Sequence, residues 1–347
     1  MISVALFNNK GGVGKTTLTY HLAHMLQRLG HRVLAVDLDP QSNLTAAFLD
    51  EDALGKLWDE PATPAWGGPH QGPLWSALGE HPGTVVTAVR PIMEGIGDIE
   101  HASPVMIADG LWLVPGDLDL SAFEERLSDA WPRGFTGKDV AAIRVTTAFH
   151  RIVRQAADVV RADIVLVDVG PNLGAINRAA LLAADTVLMP LAADLFSLRG
   201  LKNLGPTLRE WRSTWQGVVL PNVPSDIPAP QGTMKPLGYV IMQPTMRLDR
   251  PVRAYQRWLS RIPNVFATAV LGNEDAGDAG RSYEIATLKN YQSLMPLAHD
   301  ARKPMFDLRP ADGALGSMQT LVQRCYQDFE SLSEKLLERL ATVRADI

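Results

Sequence analysis

The chain opens with alternating apolar and polar segments. Residues 2–7 form a short apolar run that predicts a buried strand, and residues 16–29 carry apolar side chains at helical spacing. A second apolar run at residues 33–36 leads into two carboxylates, Asp37 and Asp39. This pattern predicts a strand–loop–helix–strand unit with both carboxylates at the carboxyl end of a strand, where open α/β sheets bind ligands.

The same alternation continues along the chain. Further strands are predicted at residues 111–114, 163–167, 186–189, 237–242 and 265–271. Helices are predicted at residues 139–160, from about Asn177 onward, and at residues 318–342. Strands that alternate with helices predict an α/β fold, a doubly wound and mostly parallel sheet with helices on both faces.

Two segments interrupt this order. Residues 55–83 are rich in glycine, proline and tryptophan without steady periodicity, and residues 216–236 include a proline-rich stretch. The sequence contains no internal repeat and no separate linker. We therefore expect residues 1–347 to form one domain with insertions near 55–83 and 216–236.

Composition places limits on the class of protein. The residues are 46% hydrophobic and 20% charged, a balance typical of soluble globular proteins. The single cysteine, Cys325, excludes a disulfide framework and suits a reducing cytoplasm. No apolar run approaches the roughly 20 residues of a membrane span, and the start lacks a signal-peptide pattern. These features predict a cytoplasmic protein, and the net charge of -5 gives no overall attraction to nucleic acid.

Residues 9–17 form a glycine-rich loop between the first predicted strand and helix, which is where a phosphate-binding P-loop occurs. Glycines let successive backbone N–H groups turn toward one anion at the positive end of the helix. Lys15 is placed for the β- and γ-phosphates, Thr16 for Mg2+ and Thr17 for the α-phosphate. The candidate nucleotide contacts are Lys10, Gly11, Gly12, Val13, Gly14, Lys15, Thr16 and Thr17.

The loop departs from the usual P-loop, because Asn9 replaces the first glycine and Lys10 follows it. The string Lys-Gly-Gly-Val-Gly-Lys-Thr-Thr at residues 10–17 resembles the ParA/MinD family of deviant Walker A ATPases. Outside this string the resemblance is weaker, but it extends over most of the chain. It implies ATP and ADP as ligands and an ATP-bound homodimer in which Lys10 reaches the partner's phosphates. The alternative is a surface lysine beside a loop.

Two further segments resemble the family's catalytic motifs. Residues 36–45 resemble switch I, which implies that Asp39 orients the attacking water and that Asp37 and Asp39 are candidate Mg2+ residues. Residues 163–171 resemble the Walker B strand and switch II, which implies that Asp168 holds Mg2+ through water. The alternative is that such strand-end aspartates only cap turns. Family members usually carry proline where Gly170 stands, so we expect a looser switch II backbone.

The resemblance extends to the adenine side of the site. Family members contact adenine near the position of Met242 and Gln243, at the end of the strand predicted at residues 237–242. These two residues are therefore the candidate adenine contacts.

An arginine-rich segment is the candidate surface for a partner. Its members recur every three or four residues, and Pro251 suits the first turn of a helix that would align three of them. The family resemblance implies nonspecific DNA binding by such a stripe, whereas the alternative is a solvated helix face. The candidates are Arg247, Arg250, Arg253, Arg257 and Arg261.

The last predicted helix, residues 318–342, is amphipathic. MinD-like relatives use such a tail to bind membranes, but here the polar face is charge-balanced, whereas membrane-surface helices favour lysine and arginine. We therefore expect packing against the body of the protein through Leu332, Leu336, Leu337 and Leu340.

Together the motifs imply a switch ATPase of ParA type. ATP would drive dimerisation and DNA binding, and hydrolysis stimulated by a ParB-like or other protein would release DNA during segregation or cargo positioning. Such activity would place the chain at the nucleoid. The alternative is a nucleotide-gated regulatory or defence protein with little hydrolysis. The cysteine count excludes an electron-transferring relative with a cluster.

Overall fold

The computed structural model describes residues 1–58, 83–242, 252–273, 280–289, 291 and 293–345, and gives only the backbone for residues 252–255. Its strands are β1 Ile2–Leu6, β2 Val33–Asp37, β3 Val105–Ala108, β4 Leu111–Val114, β5 Ile164–Asp168, β6 Thr186–Ala192, β7 Lys235–Met242 and β8 Glu284–Leu288. They form one sheet in the order β3-β4-β2-β5-β1-β6-β7-β8.

Helices connect these strands. They are α1 Lys15–Arg28, α2 Asn43–Phe48, α3 Glu51–Leu57, α4 Val85–Glu94, α5 Phe123–Arg133, α6 Val140–Thr146, α7 Ala148–Val160, α8 Ala175–Ala183, α9 Leu195–Thr214, α10 Val252–Leu259, α11 Ile262–Val265, α12 Met295–Ala301 and α13 Ser317–Ala345. Two π-helical turns follow α9 and α11, at Trp215–Val219 and Phe266–Leu271.

The sheet is parallel except at one edge, where β3 pairs with β4 in the antiparallel sense. β1 lies between β5 and β6, and β5 also pairs with β2. In this register Asp168 is the partner of both Leu6 and Asp37. The carboxyl ends of β1, β2 and β5 therefore meet at one point, and the predicted doubly wound, mostly parallel sheet is confirmed.

The alternation of side chains along each strand builds two cores. Val4 and Leu6 face one hydrophobic cluster, whereas Ala5 and Phe7 face the other. Helices α1, α2, α3 and α13 supply the first cluster, and α4, α5, α7, α8 and α9 supply the second. Because both faces are covered, the central strands are largely apolar, and the carboxylates Asp37 and Asp168 stand only at their carboxyl ends.

One predicted strand is wrong. Residues 265–271 are helical, because α11 continues into the π-turn Phe266–Leu271. Its buried members Ile262, Val265, Phe266 and Val270 follow helical spacing, and a short apolar run cannot by itself distinguish a helix from a strand. The last strand of the sheet is instead β8, which starts with the exposed Glu284 and was not predicted.

The predicted helices are confirmed, except that one of them is divided into two. The segment 139–160 consists of α6 and α7, separated at Thr147, whose hydroxyl donates a hydrogen bond of 2.8 Å to the Ile143 carbonyl oxygen. The segment 216–236 begins within the π-turn after α9. There the buried Trp215 donates from Nε1 to the Pro230 carbonyl oxygen at 2.8 Å.

The C-terminal helix packs as predicted. α13 buries one side against the sheet and α1, and its buried apolar residues include Phe329, Leu332, Leu336 and Leu340. Leu337 is partly buried in the same cluster. Across the described parts of the chain, no helix combines the length and the apolar character needed to cross a membrane.

The arginine segment differs from its prediction. α10 ends at Leu259, so Arg261 lies beyond that helix, at the position before α11. The structure therefore places only Arg253 and Arg257 on one helix, and the predicted three-residue stripe is wrong at Arg261. Arg247 and Arg250 lie outside the described residues.

Candidate functional site

The loop between β1 and α1 has the shape of an anion site. Gly12 and Gly14 have φ of 70° and 92°, a left-handed backbone that side chains disfavour. Gly14 precedes α1 without any side-chain cap, so the first N–H groups of the helix remain available to a ligand. Met242 packs against this turn, with its methyl group 3.2 Å from the place a Cβ on Gly14 would occupy.

Lys15 is the buried cation of the loop. It lies in the first turn of α1, and Nζ donates to the Lys10 carbonyl oxygen at 3.5 Å. Burial lowers the pKa of Lys15, although Asp168 and Asp39 favour its charged form. A buried ammonium group with one long hydrogen bond is poorly solvated, and an anion in the loop would complete its coordination.

Asp168 is fully buried opposite this lysine. Its Oδ2 accepts a hydrogen bond of 2.7 Å from Thr16 Oγ1, and its Oδ1 accepts one of 3.4 Å from Thr19 Oγ1. Burial raises the pKa of Asp168 to about 8, and the carboxylates of Asp37 and Asp39 add to the rise. The predicted partners Thr16 and Asp168 are therefore in direct contact.

Asp37 and Asp39 occupy different positions although only one residue separates them. Asp37 Oδ2 accepts from the Thr45 N–H at 2.8 Å and from Thr45 Oγ1 at 2.7 Å, and burial raises the pKa of Asp37 to about 6. Asp39 Oδ1 accepts from the Gln41 N–H at 3.0 Å, and Asp39 lines the cavity over the loop. Asp37 thus fixes the turn that presents Asp39.

These oxygen atoms suit Mg2+. The donors are carboxylates and a hydroxyl, which hard cations prefer, and burial together with the neighbouring carboxylates raises the pKa of Asp168, so a cation would favour its charged form. Among the described residues, no three His, Cys, Asp or Glu side chains converge as a metal cage. Mg2+ is commonly held by one or two carboxylates together with substrate phosphates and water, so Thr16 and Asp168 fit it.

The segment after β5 is held by a side chain that the motifs did not indicate. Asn177 Nδ2 donates to the carbonyl oxygens of Gly170 and Asn172 at 2.9 and 2.7 Å. A Cβ on Gly170 would lie 3.3 Å from Asp39 Oδ1, so glycine leaves room for Asp39. Whether this backbone is looser than one with proline stays a prediction.

The same segment is anchored at its far end. Glu124 in α5 accepts hydrogen bonds from the N–H groups of Ala175 and Ile176 at 2.6 and 2.8 Å. The carboxylate therefore caps the first turn of α8, where negative charge is favourable. Asn177 and Glu124 together fix both ends of the turn that follows Asp168.

A cavity of about 570 Å³ opens over the loop. Tyr20 and His21 of α1 form part of its floor, and its far wall comes from α12 and the residues after it. The cavity is lined by residues 11–17, Tyr20, His21, Asp39, Gln41, Asn43, Ala46, Ala47, Pro171, Met295, Ala298, His299, Arg302 and Lys303. The predicted adenine contact Gln243 lies outside the described residues, and Met242 packs on Gly14 instead of appearing in this lining.

Lys10 points away from Lys15 in this single chain. Its Nζ forms an ion pair with Asp194 Oδ2, at the start of α9. Nζ also lies 5.9 Å from the centre of the Phe196 ring. The two lysines of the loop therefore face different surroundings, one buried beside carboxylates and one partly exposed on a helix terminus.

The arginine segment is exposed where it is described. Arg257, in α10, and Arg261, beyond its end, each place the guanidinium carbon 5.6 Å from the centre of the Trp258 ring. Both arginines are exposed, and the tryptophan is half-buried. The packing gathers two positive charges around one aromatic ring.

Sequence comparison identifies relatives of this chain. A family model described as an AAA domain matches residues 1–217. The chromosome partitioning protein ParA of Caulobacter vibrioides is 28% identical over 224 residues, covering 62% of this chain and 68% of that protein. The chromosome-partitioning ATPase Soj of Thermus thermophilus is 32% identical over 210 residues, covering 60% of this chain and 62% of that protein.

Coverage of the relatives is partial. A protein of Rhizobium rhizogenes described as a replication protein A is 29% identical over 252 residues, which cover 68% of this chain but only 53% of that protein. The chain thus spans about half to two thirds of the length of these relatives.

Solved structures share the fold. A Corynebacterium diphtheriae protein superposes with a TM-score of 0.69 at 22% identity, covering 98% of this chain and 99% of that one. A variant of McdA from Cyanothece in complex with ATP superposes with a TM-score of 0.60 at 16% identity, covering 98% and 96%. Since the family model spans more than half of the sequence and the curated relatives include ParA and Soj, the chain belongs to the ParA/Soj-like family of partition ATPases.

Proposed function

We propose that this chain is an ATP-driven dimerising switch that binds DNA nonspecifically in its ATP state and releases it after hydrolysis. The observation that carries the proposal is a buried Lys15, electrostatically coupled to Asp168, beside the Thr16–Asp168 hydrogen bond and a loop with left-handed glycines. One side of the loop can hold phosphate and the other can hold a divalent cation. Membership of the ParA/Soj-like family supports the same activity.

Phosphate binding follows from the loop geometry. The N–H groups at the start of α1 and the Lys15 ammonium group would surround the β- and γ-phosphates, and Thr17 would face the α-phosphate. Mg2+ bound by Thr16 and Asp168 would neutralise charge on the phosphate oxygens. Asp39, fixed above the loop, would orient the attacking water.

The nucleoside would occupy the outer part of the cavity. Beyond Thr17 the cavity continues between α1 and α12, where Ala298 is buried and Met295 is partly exposed. Small and apolar side chains leave room for a flat base between two helices. We therefore assign adenine to this wall, whereas Met242, which packs on Gly14, and Gln243, which lies outside the described residues, stay predicted adenine contacts.

The proposed switch consists of the two segments that carry Asp39 and Gly170. These residues come from the segments after β2 and β5, and a Cβ on Gly170 would lie 3.3 Å from Asp39 Oδ1. A γ-phosphate that both segments contact would hold them in one arrangement, and its loss would release them. Dimerisation through Lys10 would require the arrangement that the γ-phosphate holds.

DNA and a stimulating protein are the proposed partners. Arg257 and Arg261 are exposed cations that could contact backbone phosphates without recognising sequence, as could Arg247, Arg250 and Arg253. A ParB-like protein would accelerate hydrolysis and so release the DNA. Segregation of DNA or positioning of another cargo would be the cellular result.

A pair of variants tests the switch. With Mg2+ and a non-hydrolysable ATP analogue, the wild-type chain should form dimers in sedimentation velocity. Lys15→Ala should neither bind the analogue nor dimerise, whereas Lys10→Ala should bind it and stay monomeric. A Lys10→Ala chain that dimerises like wild type contradicts the proposed role of Lys10.

ATP turnover and DNA binding test the remaining parts. Reversing charge in Arg257→Glu with Arg261→Glu should weaken binding of the ATP-bound chain to DNA of arbitrary sequence and reduce the salt dependence by about one unit of slope per lost phosphate contact. If the chain does not hydrolyse ATP, with or without DNA, but binds another protein, the result would instead favour a nucleotide-gated interaction protein.

A further inference from the structure

Lys10 is already bound by its own chain. Its ion pair with Asp194 leaves the two side chains 31% and 35% exposed, so both remain within reach of a second molecule. The sequence separation is 184 residues, and the pair joins the glycine-rich loop to the start of α9. A lysine that is to reach a partner's phosphates must first leave this carboxylate.

Asp194 is built to remain in place when the lysine leaves. Its Oδ1 caps α9 by accepting a hydrogen bond of 2.8 Å from the Ser197 N–H, while Oδ2 holds Lys10. Ser197 Oγ in turn accepts from the Ala192 N–H at 3.1 Å, at the end of β6. Because a carboxylate is favourable at a helix N-terminus without any cation, Asp194 keeps a partner after Lys10 departs.

The next two residues form an exposed apolar patch. Leu195 is 42% exposed and Phe196 is 70% exposed, although the later leucines of α9 are buried in the core. Single exposed apolar residues are common on protein surfaces. Here, however, the patch adjoins the lysine that the proposed function delivers to a second copy of the chain, and exposed aromatic residues are frequent anchors at interfaces.

We propose that Leu195 and Phe196 are a docking surface for a second copy of this chain, and that Asp194 holds Lys10 until that copy displaces it. This inference rests on the proposed ATP-dependent dimer. In the free chain the Asp194–Lys10 pair competes with dimerisation. In the dimer Lys10 binds the partner's nucleotide, Asp194 keeps its cap, and Phe196 is covered by the partner.

The Asp194 part is tested with Asp194→Asn, which retains a capping side chain and loses the charge. Partly exposed ion pairs are weak, so ATP-dependent dimer affinity should rise about two- to fivefold. Acetylation of Lys10 in the nucleotide-free chain, followed by mass spectrometry, should also become faster.

Asp139→Asn is the matched control. Asp139 also caps a helix, through the Ala142 N–H at 2.9 Å, and also pairs with a cation, Arg133, away from the loop. It should change neither dimer affinity nor Lys10 acetylation. Dimer affinity that is unchanged or weaker in Asp194→Asn overturns the competing role of Asp194.

The patch is tested with Phe196→Asp, which should weaken the ATP-dependent dimer about tenfold or more and leave ATP binding by the monomer intact. Val159→Asp is the control, because Val159 is also 70% exposed but lies near the end of α7, before β5. Equal dimer affinity in the two variants overturns the docking surface. A wild-type chain that stays monomeric with ATP would contradict the proposed function itself.

Discussion

Two regions of the molecule bury ionisable groups, and they differ in how those groups are satisfied. At the strand ends, Asp37, Asp39 and Lys15 surround Asp168, and burial raises the pKa of Asp168 to about 8. In the seam between α1 and α13, burial lowers the pKa of His21 to about 4. Its ring nitrogens contact the Thr17 carbonyl oxygen at 2.7 Å and the Met305 N–H at 3.0 Å.

The difference separates groups that need a ligand from a group that the protein itself satisfies, even though His21 also forms part of the cavity floor. His21 is neutral, and the protein itself supplies both of its hydrogen-bond partners. Asp168 has hydroxyl donors but also two acidic neighbours, so its charged form is disfavoured until a cation arrives. A buried group with an incomplete environment indicates function more strongly than burial alone does.

The largest expected effect comes from Asp168→Asn. The substitution keeps the shape and removes the charge, so Mg2+ should no longer improve ATP affinity, a loss of at least about tenfold. The metal-free chain should become more stable to urea, because a disfavoured buried carboxylate is gone. A variant that keeps Mg2+-dependent binding, or a less stable metal-free chain, would remove the distinction between the two regions.

His21→Leu should have the opposite effect on stability. It leaves the Met305 N–H without a partner in a buried seam and removes the side-chain bond to the Thr17 carbonyl oxygen, which costs about 1 to 3 kcal/mol of unfolding free energy. Urea denaturation of the metal-free chain measures it. A stabilised His21→Leu chain would mean that the seam is as incomplete as the strand ends.

Ala298→Trp sharpens the boundary of the site. The indole would fill the wall where the nucleoside is assigned, so ATP affinity should fall about tenfold. Inorganic tripolyphosphate, which has no base, should bind as it does to the wild-type chain. Titration calorimetry with both ligands separates the two cases, and equal losses for both would show that the substitution disturbs the loop.

The smallest expected effect is the pH dependence. Asp168 and Asp37, with pKa values raised to about 8 and about 6, bind protons more readily in the folded than in the unfolded chain, so they lower stability as pH rises through those values. His21 acts below pH 6.5, where its lowered pKa makes stability fall with acidification.

Between pH 6.5 and 8 the buried histidines His21, His24 and His150 affect wild type and Asp168→Asn alike, so the difference between the two proteins isolates Asp168. Across this window metal-free wild type should lose about 1 to 2 kcal/mol more unfolding free energy than Asp168→Asn does. Equal slopes in the two proteins would assign the pH dependence to other groups.

The sequence was most informative where a local pattern determines local geometry. The glycines and Lys15 predicted the loop, and the apolar runs predicted β1, β2 and β5, because each is encoded by neighbouring residues. The spacing of Val265 and Val270 was misassigned, since a short apolar run suits either a strand or a helix. The sequence did not predict β8, because the strand starts with an exposed polar residue, Glu284.

A single sequence does not predict which residues far apart in the chain contact each other. Asp194 precedes a helix and carries a recognisable cap signal, yet nothing near it in the chain indicates Lys10. The cavity wall formed by α12 and the hydrogen bond from Asn177 to the Gly170 carbonyl oxygen likewise depend on how distant segments meet around the sheet. Such contacts follow from the topology, which local periodicity does not specify.

The most direct test is ATP binding to the purified chain by titration calorimetry, with and without Mg2+, beside Lys15→Ala. The proposed site predicts binding of one ATP per chain that strengthens with Mg2+ and disappears in Lys15→Ala. No binding by the wild-type chain, or equal binding by Lys15→Ala, would contradict the assignment of the loop between β1 and α1 as the nucleotide site.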